Sequence, residues 1–351
     1  MNQSTGLEPV RDTHRFEESV LKSYLGGVLP DFAGPMSVLQ FSGGQSNPTF
    51  HISTAEKEVV LRKKPPGKLL PSAHAVDREY RVLSALLDSG VPVPRVLHFC
   101  DNDAVIGTPF YVMEYLSGRI LRDPLLPAMD SAERKAIYDA MNDTLARLHN
   151  LDWKAIGLED YGKPENYIAR QIALWARQYE ASQTSNVPAM DHLMNWLREN
   201  IPADDSTSIV HGDFRLENLM FDAEEPKVIA VLDWELSTLG HPLGDLAFNC
   251  MTYHLASDNE IARGFVGTDI VPLAIPSEED YVSAYCKRTG RAGIDDWTFF
   301  MAFSLFRTAA IQHGIYARAL KGNASSETAH QFGKMSVFVA EQGWSLVEES
   351  Q

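Results

Sequence analysis

Apolar residues recur at helical spacing from Phe16 to Leu25, and the chain then changes period. MSVLQF reads as a strand, SGGQSNPT as a glycine-rich turn, and FHISTAEKEVVLRKK as a second strand, a polar turn and a third strand. No helix directly follows the glycines, so this meander is not a dinucleotide-binding unit. KKPPGKLLPSAH is a proline-broken connection. AVDREYRVLSALLDSG then carries apolar positions at helical spacing and ends at Gly90, a C-cap candidate. VPVPRVLHFCDNDAVIGTPFYVMEYLSG reads as two more strands with a turn at Asp101–Asp103. Beyond Gly118 the pattern is predominantly helical, as in SAERKAIYDAMNDTLARLHNL and ENYIARQIALWARQYEAS, with short strands at SIVHGD and KVIAVLDW. The first dozen residues are polar and are expected to fray. A β-rich first third ahead of a mostly helical remainder predicts an α+β chain in two lobes. The expected N-terminal lobe, residues 1–115, is a small antiparallel β-sheet with one main helix; the larger C-terminal lobe, residues 116–351, is mostly helical.

Composition narrows the class. At 351 residues the chain suits two packed lobes better than one small core. Its 44% hydrophobic and 22% charged residues are those of a globular protein. No run approaches the roughly 18 apolar residues of a membrane span, and the N-terminus lacks the basic-then-apolar order of a secretory signal. Cys100, Cys250 and Cys286 are far apart and in no metal-like spacing, so a cytoplasmic location without disulfides is expected. The net charge of −16 argues against nucleic acid as a partner, and no membrane partner is expected. A nucleotide arriving with magnesium is not excluded, because local cations act within a Debye length of roughly 8–10 Å. Nothing in the pattern specifies an oligomeric state.

The chemistry concentrates in one stretch. His211-Gly212-Asp213-Phe214-Arg215-Leu216-Glu217-Asn218 is followed by an apolar hairpin that delivers Asp233 in KVIAVLDWE. A short strand thus presents an Asp, an Asn follows five residues later, and a second acid ends the hairpin. Phosphoryl transfer needs these parts: a carboxylate to orient and deprotonate the attacking hydroxyl, and an amide oxygen and second carboxylate to hold magnesium. Magnesium takes few protein ligands and completes its shell with water and phosphate oxygens.

HGDFRLEN and LDWE resemble the catalytic and metal-binding motifs of the aminoglycoside phosphotransferase-like kinases, a branch of the protein-kinase-like fold. FSGGQSNPTF, VVLRKKPPG, SAHAVDREYRVLSAL, VPVPRV, YVMEYLSGRIL and LGHPLGDLAF resemble one subgroup of that family. It includes bacterial proteins labelled as aminoglycoside phosphotransferases and the kinase-like domain fused to acyl-CoA dehydrogenases. The resemblance runs from about residue 38 to about residue 320. It implies ATP and Mg2+ as cofactors and a small-molecule hydroxyl as acceptor. Asp213 would be the catalytic base, Asn218 and Asp233 the magnesium ligands, and Arg215 either a cation at the transferred phosphate or a surface residue of the loop.

The same resemblance places Gly43, Gly44, Ser46 and Asn47 over the ATP phosphates and the backbone around Glu114 and Leu116 against adenine. The β-strand cation that pairs phosphates is Arg62 or Lys63, which alternation sends to opposite faces. Glu79 is either its helix partner or a solvated acid. Asp245 in LGHPLGDLAF is expected to support the catalytic loop, and His149 to pack within its helix. Arg307 and Arg318 suit an anionic substrate or a solvated helix face equally. Three functions follow: a kinase acting on a hydroxyacyl-CoA or related metabolite, an aminoglycoside or other small-molecule kinase, and a catalytically silent nucleotide-binding protein.

Overall fold

The computed structural model describes residues 6–42, 47–65, 74–259, 262–320 and 326–351. In chain order the first elements are β1 (Leu7–Glu8), α1 (Glu18–Val28), β2 (Ser37–Phe41), β3 (Thr49–Ser53), β4 (Glu58–Lys63), α2 (Val76–Leu86), β5 (Val96–Cys100), β6 (Phe110–Glu114) and β7 (Arg119–Ile120). Then come α3 (Ser131–His149), α4 (Tyr167–Ser182), α5 (Pro188–Glu199), β8 (Ser208–Val210), β9 (Leu219–Phe221), β10 (Val228–Val231) and β11 (Thr238–Gly240). The chain closes with α6 (Pro242–Cys250), α7 (Glu278–Thr289), α8 (Trp297–Arg318) and α9 (Ser326–Ser350). The sheet-first, helix-later order expected from hydrophobic periodicity is observed. The chain divides into two compact units. One comprises Met1–Ile120, Lys154–Leu158 and Leu219–Leu236; the other comprises Leu121–Trp153, Glu159–Asn218 and Ser237–Gln351.

In the first unit an antiparallel sheet runs β1-β2-β3-β4-β6-β5. The polar N-terminus does not simply fray: Leu7 pairs with Phe41 and Glu8 with Gln40. A two-residue strand is too short to leave a periodic signal, which is why the sequence conceals it. Leu21 and Leu25 of α1 are fully buried with Phe50, Ile52, Val59, Leu61, Phe110 and Val112. Each such side chain contributes roughly 1.5–3 kcal/mol of burial. α2 packs against β5 and β6 and against the short turn Trp234–Leu236. A second antiparallel sheet, β10-β9-β7, belongs to the same unit. Gly118 enters it so closely that a Cβ would meet the Phe221 carbonyl and, at 2.7 Å, Met220 Cγ.

The second unit is built around α8, a 22-residue helix that is apolar on nearly every side and packs on α4, α5, α6 and α9. β8 pairs antiparallel with β11, Val210 opposite Thr238 and Ser208 opposite Gly240. The loop leaving β8 is tied to α6 by Asp245, whose carboxylate accepts from the His211 and Gly212 N–H groups. α7 begins on Ser277, whose side chain accepts from the Asp280 N–H, and ends at Gly290 with φ +70°. No helix among the described residues is long and apolar enough to cross a membrane.

Candidate active site

In the first unit, β4 is buried on both faces, so its alternation separates two cations. Leu61 belongs to the core under α1, and Lys63 lies on that side, its ammonium 5.2 Å from the Phe16 ring and 5.9 Å from the Phe50 ring. Burial lowers the Lys63 pKa. Arg62 takes the other face. Its Nε lies 2.8 Å from Glu79 Oε2, its Nη2 donates to Asp233 Oδ1, and Glu235 Oε2 is 3.9 Å away. Of the two candidates, Arg62 therefore meets the helix acid. Burial works against the guanidinium charge, but Glu79, Tyr111, Asp233 and Glu235 outweigh it and hold the group firmly cationic.

Glu79 is 1% exposed and is not a solvated acid. Its Oε1 accepts from Asn47 Nδ2 at 2.5 Å, and its Oε2 accepts from the Tyr111 hydroxyl at 3.0 Å. Asn47 Oδ1 lies 3.0 Å from His74 Nδ1. Asn47 is buried, and its amide is engaged by Glu79 of α2. Gly43, Gly44 and Ser46 lie outside the described residues. The Glu114 N–H donates to Arg95 O, and Glu114 Oε1 accepts from the Arg95 N–H at 2.7 Å. An adenine contact at Glu114 would thus use its carbonyl. Leu116 is half-buried beyond the end of β6.

Asp233 leaves β10 with φ +66°, a left-handed conformation that non-glycine residues adopt sparingly. The turn after it is anchored by Trp234, which is buried and donates its indole N–H to Val231 O at 2.9 Å. Its carboxylate is partly exposed, with Oδ1 on Arg62.

In the second unit, the loop after β8 has its backbone polar groups claimed one by one. Asp245 Oδ2 accepts from the His211 N–H at 2.6 Å, and Oδ1 accepts from the Gly212 N–H at 2.8 Å. The Asp213 N–H donates to His211 Nδ1 at 3.2 Å, which makes that nitrogen the acceptor of the ring. The Gly212 carbonyl accepts from Arg307 Nη2 at 2.7 Å, and the Phe214 carbonyl from Asn249 Nδ2 at 3.3 Å. Burial alone would raise the Asp245 pKa, but the His149 hydrogen bond, electrostatic interaction with His149 and His211 and the His211 N–H lower it overall. Asp245 thus supports the loop as an ionised carboxylate. His149 sits under it, with Tyr285 Oη 2.7 Å from Nδ1.

Asn218 Nδ2 donates at 2.9 Å to both Asp213 Oδ2 and Asp213 O. Both partners are acceptors, so the amide orientation is settled and Oδ1 points away from them. Arg215 is about half exposed, its Nε 3.3 Å from Asp213 Oδ1 and its Nη1 3.4 Å from Glu217 Oε2. Asp213, Arg215 and Asn218 are thus together in one unit, and Arg62, Glu79, Asn47 and Asp233 in the other. Sequence reasoning missed Tyr111 and Asn249 and left Arg307 undecided. The available signal was a cation among the apolar residues of the first half of α8.

Residues 37–276 match the model of the phosphotransferase enzyme family, APH. The chain belongs to that family. Acyl-CoA dehydrogenase family member 10 of Mus musculus is 50% identical over 337 residues, covering 96% of this chain and 32% of that protein. Acyl-CoA dehydrogenase family member 11 of Gallus gallus is 47% identical over 348 residues, covering 97% of this chain and 45% of that protein. The chain therefore spans less than half of either relative. A solved structure from Ralstonia eutropha JMP134, provisionally labelled an aminoglycoside phosphotransferase, is 49% identical with a TM-score of 0.88, covering 95% of this chain and 99% of that one. The fold is the two-lobed α+β kinase-like fold of these phosphotransferases.

Proposed function

We propose that this phosphotransferase-family chain moves the γ-phosphoryl group of ATP to a hydroxyl of a small metabolite, a hydroxyacyl-CoA being the favoured acceptor. The observation that carries the reading is the state of Asp213. It is a partly buried carboxylate on a fully braced loop, with Asn218 directing one of its oxygens. In this reading the Asp213 carboxylate orients the acceptor hydroxyl and takes its proton as the oxygen attacks phosphorus and the bond to ADP breaks. Arg62 would meet the nucleotide phosphates, and Arg215 the charge developing on the transferred group. Residues 1–115 would hold the nucleotide and 116–351 the catalytic loop and acceptor.

The donor set suits Mg2+. The amide orientation of Asn218 leaves a hard oxygen, Oδ1, for a cation, and Asp233 offers Oδ2 while Oδ1 engages Arg62. Asn218 and Asp233 would hold the ion, which supplies neutralisation of phosphate charge when bound. The acyl-CoA preference is supported by the names of the relatives, acyl-CoA dehydrogenase family members 10 and 11, of which this chain spans 32% and 45%. Aminoglycosides remain the competing acceptor class.

ATP consumption across hydroxyacyl-CoAs, aminoglycosides, choline and sugars tests the reading. Turnover with a hydroxyacyl-CoA, falling about 10²–10⁴-fold in Asp213→Asn, is expected. Asp233→Ala should abolish magnesium-dependent nucleotide binding in calorimetry. Full turnover in Asp213→Asn would refute the assignment, and nucleotide binding without turnover of any acceptor would favour a silent nucleotide-binding protein.

A further inference from the structure

Arg307 is a cation in the interior of an apolar helix, only 9% exposed. Burying a charge is costly unless it is paired and hydrogen-bonded. Yet among the described residues no carboxylate forms an ion pair with it. Its guanidinium lies 5.8 Å from the Trp175 ring and 5.3 Å from the Phe248 ring, and it donates to the Gly212 carbonyl at 2.7 Å. The acid that would ordinarily answer this charge, Asp245, is also buried and grips the same residue from the other end, through the Gly212 N–H. Positive and negative charges thus meet across one glycine.

That glycine has φ +82°, so its backbone is turned in a way that a side chain would oppose. The Gly212 carbonyl and the Asp213 N–H belong to one rigid peptide plane. Arg307 holds the oxygen of this plane and His211 Nδ1 holds its hydrogen. Rotation of the plane would swing the Cα of Asp213 and redirect its carboxylate.

We infer that Arg307 is a positioning residue for Asp213, acting through the Gly212 carbonyl. The inference rests on the phosphotransfer reading above for its catalytic consequence. Without Arg307, Asp213 keeps its ligand-facing oxygens but loses its fixed approach, so the transfer step slows while binding of both substrates persists.

The test compares Arg307→Gln, which removes the charge and shortens the reach, with Arg307→Lys, which keeps the charge. In Arg307→Gln, kcat should fall about 10²-fold with KM for ATP and acceptor nearly unchanged, and Arg307→Lys should recover part of the loss. Amide hydrogen exchange at residues 211–214 should quicken in Arg307→Gln while exchange in β2–β4 stays as in wild type. If Arg307→Gln does not fold, Arg307→Lys is judged by the same two readouts. Unchanged exchange at 211–214 overturns the inference. So does a raised acceptor KM with intact kcat, which would make Arg307 a substrate-binding group. If wild type transfers no phosphoryl group to any acceptor, the proposed function fails, while the exchange measurement still decides the loop contact.

Discussion

Replacing Glu79 by Gln should be costly even though the two side chains have the same shape. Two hydrogen-bond donors and one cation converge on the two carboxylate oxygens: Asn47 Nδ2 on Oε1, the Tyr111 hydroxyl on Oε2, and Arg62 Nε within 2.8 Å of Oε2 as an ion pair. Glutamine offers one acceptor oxygen and one NH2 group, so at least one donor must face another donor. With the NH2 at the Oε2 position, two contacts are lost. With it at the Oε1 position, only the Asn47 contact is lost, and this is the cheaper arrangement. One charge-assisted hydrogen bond in a site that is 1% exposed is worth about 1.5–3 kcal/mol. Breaking a buried ion pair outright costs about 3–5 kcal/mol, but Asp233 and Glu235 still face Arg62 and reduce that figure. The expected loss is therefore on the order of 2–4 kcal/mol. Urea denaturation of wild type and Glu79→Gln measures it, with hydrogen exchange of α2 as the local check. A loss below about 1 kcal/mol with α2 protection unchanged would show that this convergence on Glu79 does not hold in solution.

Two further outcomes follow from single positions. His241 caps α6, its Nδ1 accepting from the Leu243 N–H at 3.2 Å while its ring stacks on Phe300, and burial, only partly offset by Asp204, lowers its pKa to about 4. The unfolded chain takes up this proton near pH 6.5 and the folded chain does not, so stability should fall by on the order of 3 kcal/mol as pH drops from about 6.5 to 4. His241→Asn keeps a capping acceptor and should flatten that window; urea midpoints at pH 7 and 4.5 that shift equally in both proteins would contradict this. Gly118→Ala should destabilise by about 1–3 kcal/mol, because the new Cβ meets backbone at Phe221 and side chains at Met220 and Ile229. A denaturation midpoint equal to that of wild type would mean that β7 can shift away from β9.

Strands and helices with several turns of consistent periodicity are legible in the amino-acid sequence, as is the order of sheet before helices. Asp213, Asn218 and Asp233 stand out as candidates because they sit at intervals set by a loop and a hairpin. Other features are not legible. The alternation of β4 separates Arg62 from Lys63, but nothing local says which face α2 covers. Asn47 reads as a turn residue open to a ligand, and only the arrival of α2 makes it a buried partner of Glu79. Likewise, a break near residue 115 is visible in the pattern, whereas the joining of Lys154–Leu158 and Leu219–Leu236 to the first unit depends on contacts distant in sequence.

By itself, then, the amino-acid sequence determined the elements and the chemical inventory of the site, since both depend on residue type and short spacing. Tertiary structure alone decided how that inventory is held: Arg62 on the Glu79 side, Asp245 and Arg307 on opposite ends of Gly212, Asn218 with its amide nitrogen on Asp213. The physical reason is that a hydrogen bond or buried charge is satisfied by whatever the fold brings within about 3 Å, and those partners stand 17 to 95 positions apart for Arg62–Glu79, Gly212–Asp245 and Gly212–Arg307.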